Sequence, residues 1–428
     1  MTFIPKAASA VVIGIGLAGA IVATPAEAQK KPKKGEEAAA AAPQLKLSEK
    51  FRKAAVPLQA AVAANDGAAL SAAVAAATPA ATTNDEKYYL NAVQIPYHQK
   101  QTDRAGLIAV LEQLVSNPST PADAMKQYNY FLGALAFEKK ESARALPYFR
   151  RARELGYTSE NFGLQYAQAL IDSGDVAGGV AELQKAIDAE TAAGRKAPEP
   201  WYSFAVSRLY QKGDRAEANV WLKRALAAYP SPQNWRRSIL VYRDGAEKAK
   251  QIDKAQRLDL YRLLRITKAL ADRNDYLEYA DIAYQGGLPN EAIRMIAEGK
   301  AAGAIPAADG SAANIVAGAQ SALRQDLPLA TLEKQAASAA TGKVAQATGD
   351  VAFASGEFAK ATALYKLGLQ KGGVDVGKTN LHLGMALAQS GQHAEARAAF
   401  ANVTGPVDKE IAGFWVQWID LQGAAPVA

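Results

Sequence analysis

Residues 380–403 read NLHLGMALAQSGQHAEARAAFANV, and residues 129–152 read NYFLGALAFEKKESARALPYFRRA. Both stretches place a Leu-Gly pair first, Leu383-Gly384 and Leu132-Gly133. Twelve residues after each glycine stands an alanine, Ala396 and Ala145, followed by an aromatic, Phe400 and Phe149, and then a small apolar residue, Val403 and Ala152. Apolar residues recur at helical spacing on either side of a short polar break, Ser390-Gly391-Gln392 in one copy and a turn at Glu141 in the other, which predicts two helices per copy. The small residues let the two helices approach, and the large ones fill the gap to the next pair. One pair cannot bury both apolar faces alone, so a stack of pairs is required.

Weaker copies extend the pattern in both directions. The positions corresponding to Ala145 are Gly179, Ala218, Ala292, Ala361 and Ala396, at intervals of 34, 39, 74, 69 and 35 residues, so each long interval has room for one further pair. Working backward reaches Gly106 and then a helix over residues 65–77. The expected fold is all-α: an α-α superhelix of about ten helix pairs across residues 45–407, closed by a single C-terminal helix. In that last helix Ile411, Phe414, Trp415 and Trp418 share one face, suited to capping the final repeat or, as the alternative, to docking a partner. The segments are a signal peptide (1–28), a Lys/Ala-rich tether (29–44), degenerate repeats (45–124), clearer repeats (125–231), a basic degenerate pair (232–271), further repeats (272–406) and the cap (407–422).

This spacing resembles the tetratricopeptide repeat, whose unit orders a large residue, Leu-Gly, Tyr, Ala, an aromatic and a closing proline over about 34 residues. Tyr202, Ala205, Val206, Ala218, Leu222, Ala225 and Pro230 match it including the closing proline, which is missing after Ala152 and Val403. The resemblance implies that the first helix of each unit lines a concave groove. The residue four after the Gly133 position then points inward: Phe137, Tyr210, Tyr284 and Phe353, with Tyr130 on the same surface, but Ile171 and Ala388 in two units. Such rings either suit an extended or helical peptide or pack against the neighbouring helix. The family's carboxylate clamp needs Lys and Asn at set groove positions, and that set is not found here. Similar bacterial proteins serve envelope assembly, secretion, pilus biogenesis or cell division, so the expected role is a non-catalytic scaffold with a protein or peptide partner. The alternatives are a module that binds or helps process cell-wall glycan, and a membrane-tethered scaffold.

The N-terminus points to export. Lys6 precedes an uncharged apolar run from Ala7 to Val22, and Ala26-Glu27-Ala28 supplies a small-x-small cleavage pattern, which predicts a cut after Ala28 and periplasmic or secreted residence. Lys30, Lys31, Lys33 and Lys34 follow at once, a basic start that opposes easy translocation and leaves an uncleaved anchor as the alternative. With cleavage no stable membrane span is expected. Gly14, Gly16 and Gly19 match a dinucleotide-binding fingerprint, but no strand-helix alternation follows, so they read as glycines of the leader.

The chain of 428 residues has no cysteine, which excludes thiol catalysis, disulfides and thiolate metal sites. Its three histidines, His98, His382 and His393, lack the spacing of a metal site. No nucleophile elbow, phosphate loop or zinc-protease motif is present, and neither a cofactor nor a metal is expected. Soluble lytic transglycosylases also carry an alanine-rich helical superhelix, with a catalytic acid in a Glu-Ser pair. Glu141-Ser142 falls in an inter-helix turn, without the enclosed pocket that raises a carboxyl pKa.

Charge is concentrated. Between Arg236 and Lys268 ten basic residues, among them Arg236, Arg237, Arg243, Arg257, Arg262, Arg265 and Lys268, face four acidic ones, a local excess that accounts for nearly all of the chain's +7. The segment reads as a solvated helix face or, in an exported protein, as a patch for an acidic protein surface or an anionic envelope component rather than nucleic acid.

Overall fold

The Leu-Gly copies form helix pairs because their glycines sit where an aromatic ring must pass. A computed structural model describes residues 45–159 and 161–423 and contains 22 α-helices, with no strand among the described residues. The leader, the tether and the N-terminal glycine fingerprint lie outside these residues. None of the described helices is long and apolar enough to cross a membrane. The chain divides after Gly194 into two compact units.

The first unit holds α1 (Glu49–Ala64), α2 (Gly67–Ala77), α3 (Asn84–Ala92), α4 (Ile95–Lys100), α5 (Arg104–Val115), α6 (Ala122–Glu138), α7 (Ser142–Glu154), α8 (Phe162–Asp172) and α9 (Val176–Ala192). Pairs α1/α2, α6/α7 and α8/α9 pack across short turns. The second repeat departs from this scheme: its first helix is split into α3 and α4, both packed on α5. Pro96 in the first turn of α4 explains the split, since proline lacks the N–H that a continuous helix would need there.

The second unit holds α10 (Glu199–Lys212), α11 (Arg215–Ala228), α12 (Pro232–Lys248), α13 (Lys254–Ile266), α14 (Arg273–Gln285), α15 (Pro289–Ala301), α16 (Gly310–Leu323), α17 (Leu329–Ser338), α18 (Lys343–Ala354), α19 (Phe358–Lys371), α20 (Val376–Gln389), α21 (His393–Ala401) and α22 (Pro406–Gly423). The region 232–271 forms two full helices, capped by Ser231 and by a capping box at Asp253. The looser place is further on, where α16 packs on α14 and α15 while α17 packs on α18 and α19. Helix α22 covers α20 and α21, as a cap should, and also reaches α11 and α13. There Phe414 meets the Tyr242 ring edge-on at 5.5 Å, Glu410 pairs with Lys223 at 3.2 Å, and Asp408 accepts from Gln256 at 2.8 Å.

A Cβ on Gly133 would stand 2.5 Å from Phe149, one on Gly349 2.7 Å from Tyr365, and one on Gly384 2.5 Å from Phe400. Phe149 and Tyr365 are fully buried and cannot swing aside. Gly133→Ala and Gly349→Ala are therefore expected to lower stability by about 1–3 kcal/mol through overpacking, although alanine favours the helix. Urea unfolding measures this, and unchanged midpoints would show that these packings relax freely.

Candidate functional site

The five rings expected to line one groove occupy different surroundings. In the first unit Tyr130 is buried and stacks on Tyr157 at 4.4 Å, while the half-buried Phe137 leans on Phe149 at 6.2 Å. Both belong to the aromatic cluster between α6, α7 and α8. In the second unit Phe353 is 2 % exposed, held beneath the Arg262 guanidinium at 4.7 Å and against the Phe358 edge at 5.2 Å, so it is not available to a ligand. Tyr284 is half-buried, with its hydroxyl against Gly318 of α16, where a Cβ would come within 2.7 Å. Tyr284 thus packs against a small residue of α16, whereas Phe353 packs beneath an arginine.

Tyr210 likewise meets a glycine, but it also borders open space. It stands in the wall of a cavity of about 570 Å³ between α10, α11 and α12. Gly245 of α12 leaves space for the ring, since a Cβ there would come 2.7 Å from Tyr210 Cε1. Its hydroxyl lies 3.3 Å from Asn219 Oδ1, and burial pushes its pKa up to about 12. Val206, Leu222, Ala225 and Val241 give the cleft apolar walls, while Ser203, Ser207 and Asn234 offer polar groups along it. Local turns set the rim. Gly213 ends α10 in the left-handed region (φ 85°) and Asp214 caps α11, which puts Arg215 at the cleft edge. Arg215 and Lys248 have no carboxylate partner among the described residues, whereas Arg237 on the same rim pairs with Glu199.

The basic segment is not a free cationic face. Arg236 pairs with Asp272 and Asp275, Arg243 with Asp244, Arg257 with Glu247 and Glu278, and Arg265 with Glu298. Lys268 remains exposed at the end of α13. Asp272, Asp275, Glu278 and Glu298 lie outside the window in which the charge excess is read, and they pair with its arginines.

Arg262 is 3 % exposed. Its Nε and Nη2 donate to the two oxygens of Glu291 at 3.0 and 2.7 Å, and Nη1 donates to Asp259 at 2.9 Å. Tyr279 donates its hydroxyl to Glu291 at 2.7 Å. Burial pushes the Glu291 carboxyl up, but the Arg262 charge outweighs it and the net pKa is lowered. His382 of α20 joins the cluster, with Nε2 3.3 Å from Asp259 and Nδ1 2.7 Å from Asp350. Burial alone would lower the His382 pKa, and the charges of Asp259 and Asp350 reverse this and raise it to about 9. Asp350 also accepts from Tyr365 at 2.7 Å through the same oxygen, Oδ1. A second cavity, of about 350 Å³, opens over this cluster between α13, α14, α18 and α20. Sequence reasoning missed the cluster, and its one visible signal is Arg262 standing inside the run Leu260-Tyr261-Arg262-Leu263-Leu264.

The remaining candidates are scattered. His98 contacts Asp103 at 2.9 Å, and His393 packs on Trp418 at 5.9 Å, apart from His382. Among the described residues no group of three metal-ligating side chains gathers. Glu141 is exposed and pairs with Arg144 at 3.4 Å, outside any enclosed pocket.

No protein-family model matches the sequence, and no curated protein matches it by sequence. Comparison of folds finds tetratricopeptide-repeat structures at low overall superposition. A tetratricopeptide repeat protein from Parabacteroides merdae aligns over 71% of this chain and 99% of its own, at 12% identity and a TM-score of 0.30. The TPR2AB domain of yeast Sti1, in complex with an Hsp90 peptide, aligns over 69% and 98%, at 10% identity and 0.24. A Rap protein complexed with competence and sporulation factor aligns over 86% and 100%, at 12% identity and 0.26. What places this chain among tetratricopeptide-like folds is its own architecture: consecutive helix pairs with no strand among the described residues, and the packing of Gly133, Gly349 and Gly384 on their ring partners.

Proposed function

We propose that this protein is a non-catalytic scaffold of the bacterial cell envelope that binds a segment of another protein in the cleft between α10, α11 and α12. The cleft itself carries the reading. Its volume of about 570 Å³ falls within the roughly 300–1,000 Å³ typical of ligand sites. It combines apolar walls with hydroxyl and amide groups along one edge, the mixture that takes alternate side chains and backbone of a peptide. Arg215 and Lys248 at the rim favour a segment with acidic flanks. The export pattern ending at Ala28 supports the envelope setting.

The test is a crosslinking pull-down from envelope extract with the full chain beside Tyr210→Ala and Val241→Arg. Circular dichroism first establishes that each variant is folded. A segment captured by the parent is expected to bind Tyr210→Ala roughly tenfold more weakly, a loss of about 1.4 kcal/mol, and to be excluded by Val241→Arg. Equal capture by the folded variants would remove the cleft as the site. Mass spectrometry of the protein from cell fractions checks the setting, with a chain starting at Gln29 as the expected result and an intact Met1 as the contrary one.

A further inference from the structure

The second cavity has features that the peptide cleft does not share, and its reading stands independently of that cleft. At about 350 Å³ it is the size of a small-molecule site. Its floor is the buried cluster of Asp259, Arg262 and His382, which also engages Glu291 through Arg262 and Asp350 through His382. The half-buried Asp350 differs, because His382 and Tyr365 both bond to Oδ1 and leave Oδ2 with no hydrogen bond among the described residues. The cavity thus presents one unused carboxylate oxygen. The opposite sign is supplied by two lysines. Lys254, the first residue of α13, is exposed and donates to Gln285 at 3.0 Å. Lys378, in the first turn of α20, has no hydrogen bond or ion pair from its Nζ among the described residues. Leu258, Ile282 and Leu288 line the cavity with aliphatic surface.

We propose that this cavity binds a small zwitterion, a free aliphatic α-amino acid. Its ammonium group donates to Asp350 Oδ2, its carboxylate lies between Lys254 and Lys378, and its side chain lies on Leu258 and Ile282. A simple anion would satisfy the lysines and bring another negative charge near Asp350. A simple amine would satisfy Asp350 and add to the positive charge of Lys254 and Lys378. A ligand carrying both charges answers the unused carboxylate oxygen and the lysines together.

The experiment is isothermal titration calorimetry on the full chain with three probes of one shape: L-leucine, 4-methylpentanoate, which lacks the amine, and isoamylamine, which lacks the carboxylate. Leucine is expected to bind saturably and each truncated analogue at least tenfold more weakly. Lys378→Met and Lys254→Met, both outside the folding core, are each expected to weaken leucine binding several-fold. Asp350→Asn, if folded by circular dichroism, is expected to remove the preference for leucine over 4-methylpentanoate. Absence of saturable leucine binding overturns the proposal, as does equal binding of leucine and 4-methylpentanoate, which would make the cavity a plain anion site. Leucine binding unchanged in both lysine variants overturns it as well.

Discussion

Arg262→Ala is expected to destabilise the second unit by about 3–5 kcal/mol, because it leaves the buried Glu291 without its paired cation and Asp259 with His382 alone. Glu291 is fully buried and Asp259 is 1 % exposed, so both depend on protein partners rather than water in the native fold. His382 still faces Asp259, but Glu291 keeps only the Tyr279 hydroxyl, a neutral donor. The change also uncovers the Phe353 ring, over which Arg262 lies at 4.7 Å. Arg265→Ala, three residues on, provides the contrast. Its pair with Glu298 is part-exposed and well formed at 2.7 Å, yet water can replace the lost partner, and a cost of about 0–1 kcal/mol is expected. Urea unfolding followed by circular dichroism compares the two. A loss at Arg262 no larger than at Arg265 would mean that the cluster opens to solvent when its arginine is removed.

The second large effect depends on pH. His382 has a pKa near 9 in the fold against 6.5 ordinarily, so the folded state holds its proton more tightly than the unfolded chain does. Its contribution is fully present below about pH 6.5 and is lost as pH rises toward 9. The span corresponds to about 3 kcal/mol. Asp259 and Asp350 act in the opposite sense. Their carboxyls are held below the ordinary value, so their contribution is present above the ordinary carboxylate pKa and is lost as pH falls through the lowered one. The second unit should therefore be most stable between the acid range and neutrality. The groups facing His382 are Asp259 and Arg262 on α13, Asp350 on α18, Tyr365 on α19 and Lys378 on its own helix. Unfolding free energies at pH 6, 7.5 and 9 are expected to fall for the native chain and to stay nearly flat for His382→Gln. Parallel curves for the two proteins would assign the pH dependence to other groups.

The cluster behind both predictions was hidden in the sequence, and particular residues show why. Arg262 is one of ten basic residues in a segment that reads as a solvated basic face, because the carboxylate that pairs with it most closely stands 29 residues away on α15. His382 lies in the helix of the clearest repeat copy, yet its partner Asp259 is 123 residues distant. Nothing within one repeat marks either contact. The ring column was legible only in part for the same reason: Phe353 holds the same repeat position as Tyr210 but lies beneath Arg262, and Tyr284 and Tyr210 both meet a glycine, Gly318 and Gly245, while Tyr210 also borders a cleft.

The sequence by itself determined the helix pairs and their period. Gly133 meets Phe149, Gly349 meets Tyr365 and Gly384 meets Phe400 across a single turn, and each pair of residues is separated by one fixed short interval in the chain. Such contacts are local, so a small residue and a ring at the right spacing suffice to specify them. The tertiary structure alone decided which charges are buried and which surfaces are open. Helix α22 reaches back to α11 and α13, α20 brings His382 onto Asp259, and α15 brings Glu291 onto Arg262. Those meetings depend on how pairs stack over more than one repeat, and burial makes the resulting ion pairs strong only once water has been excluded around them.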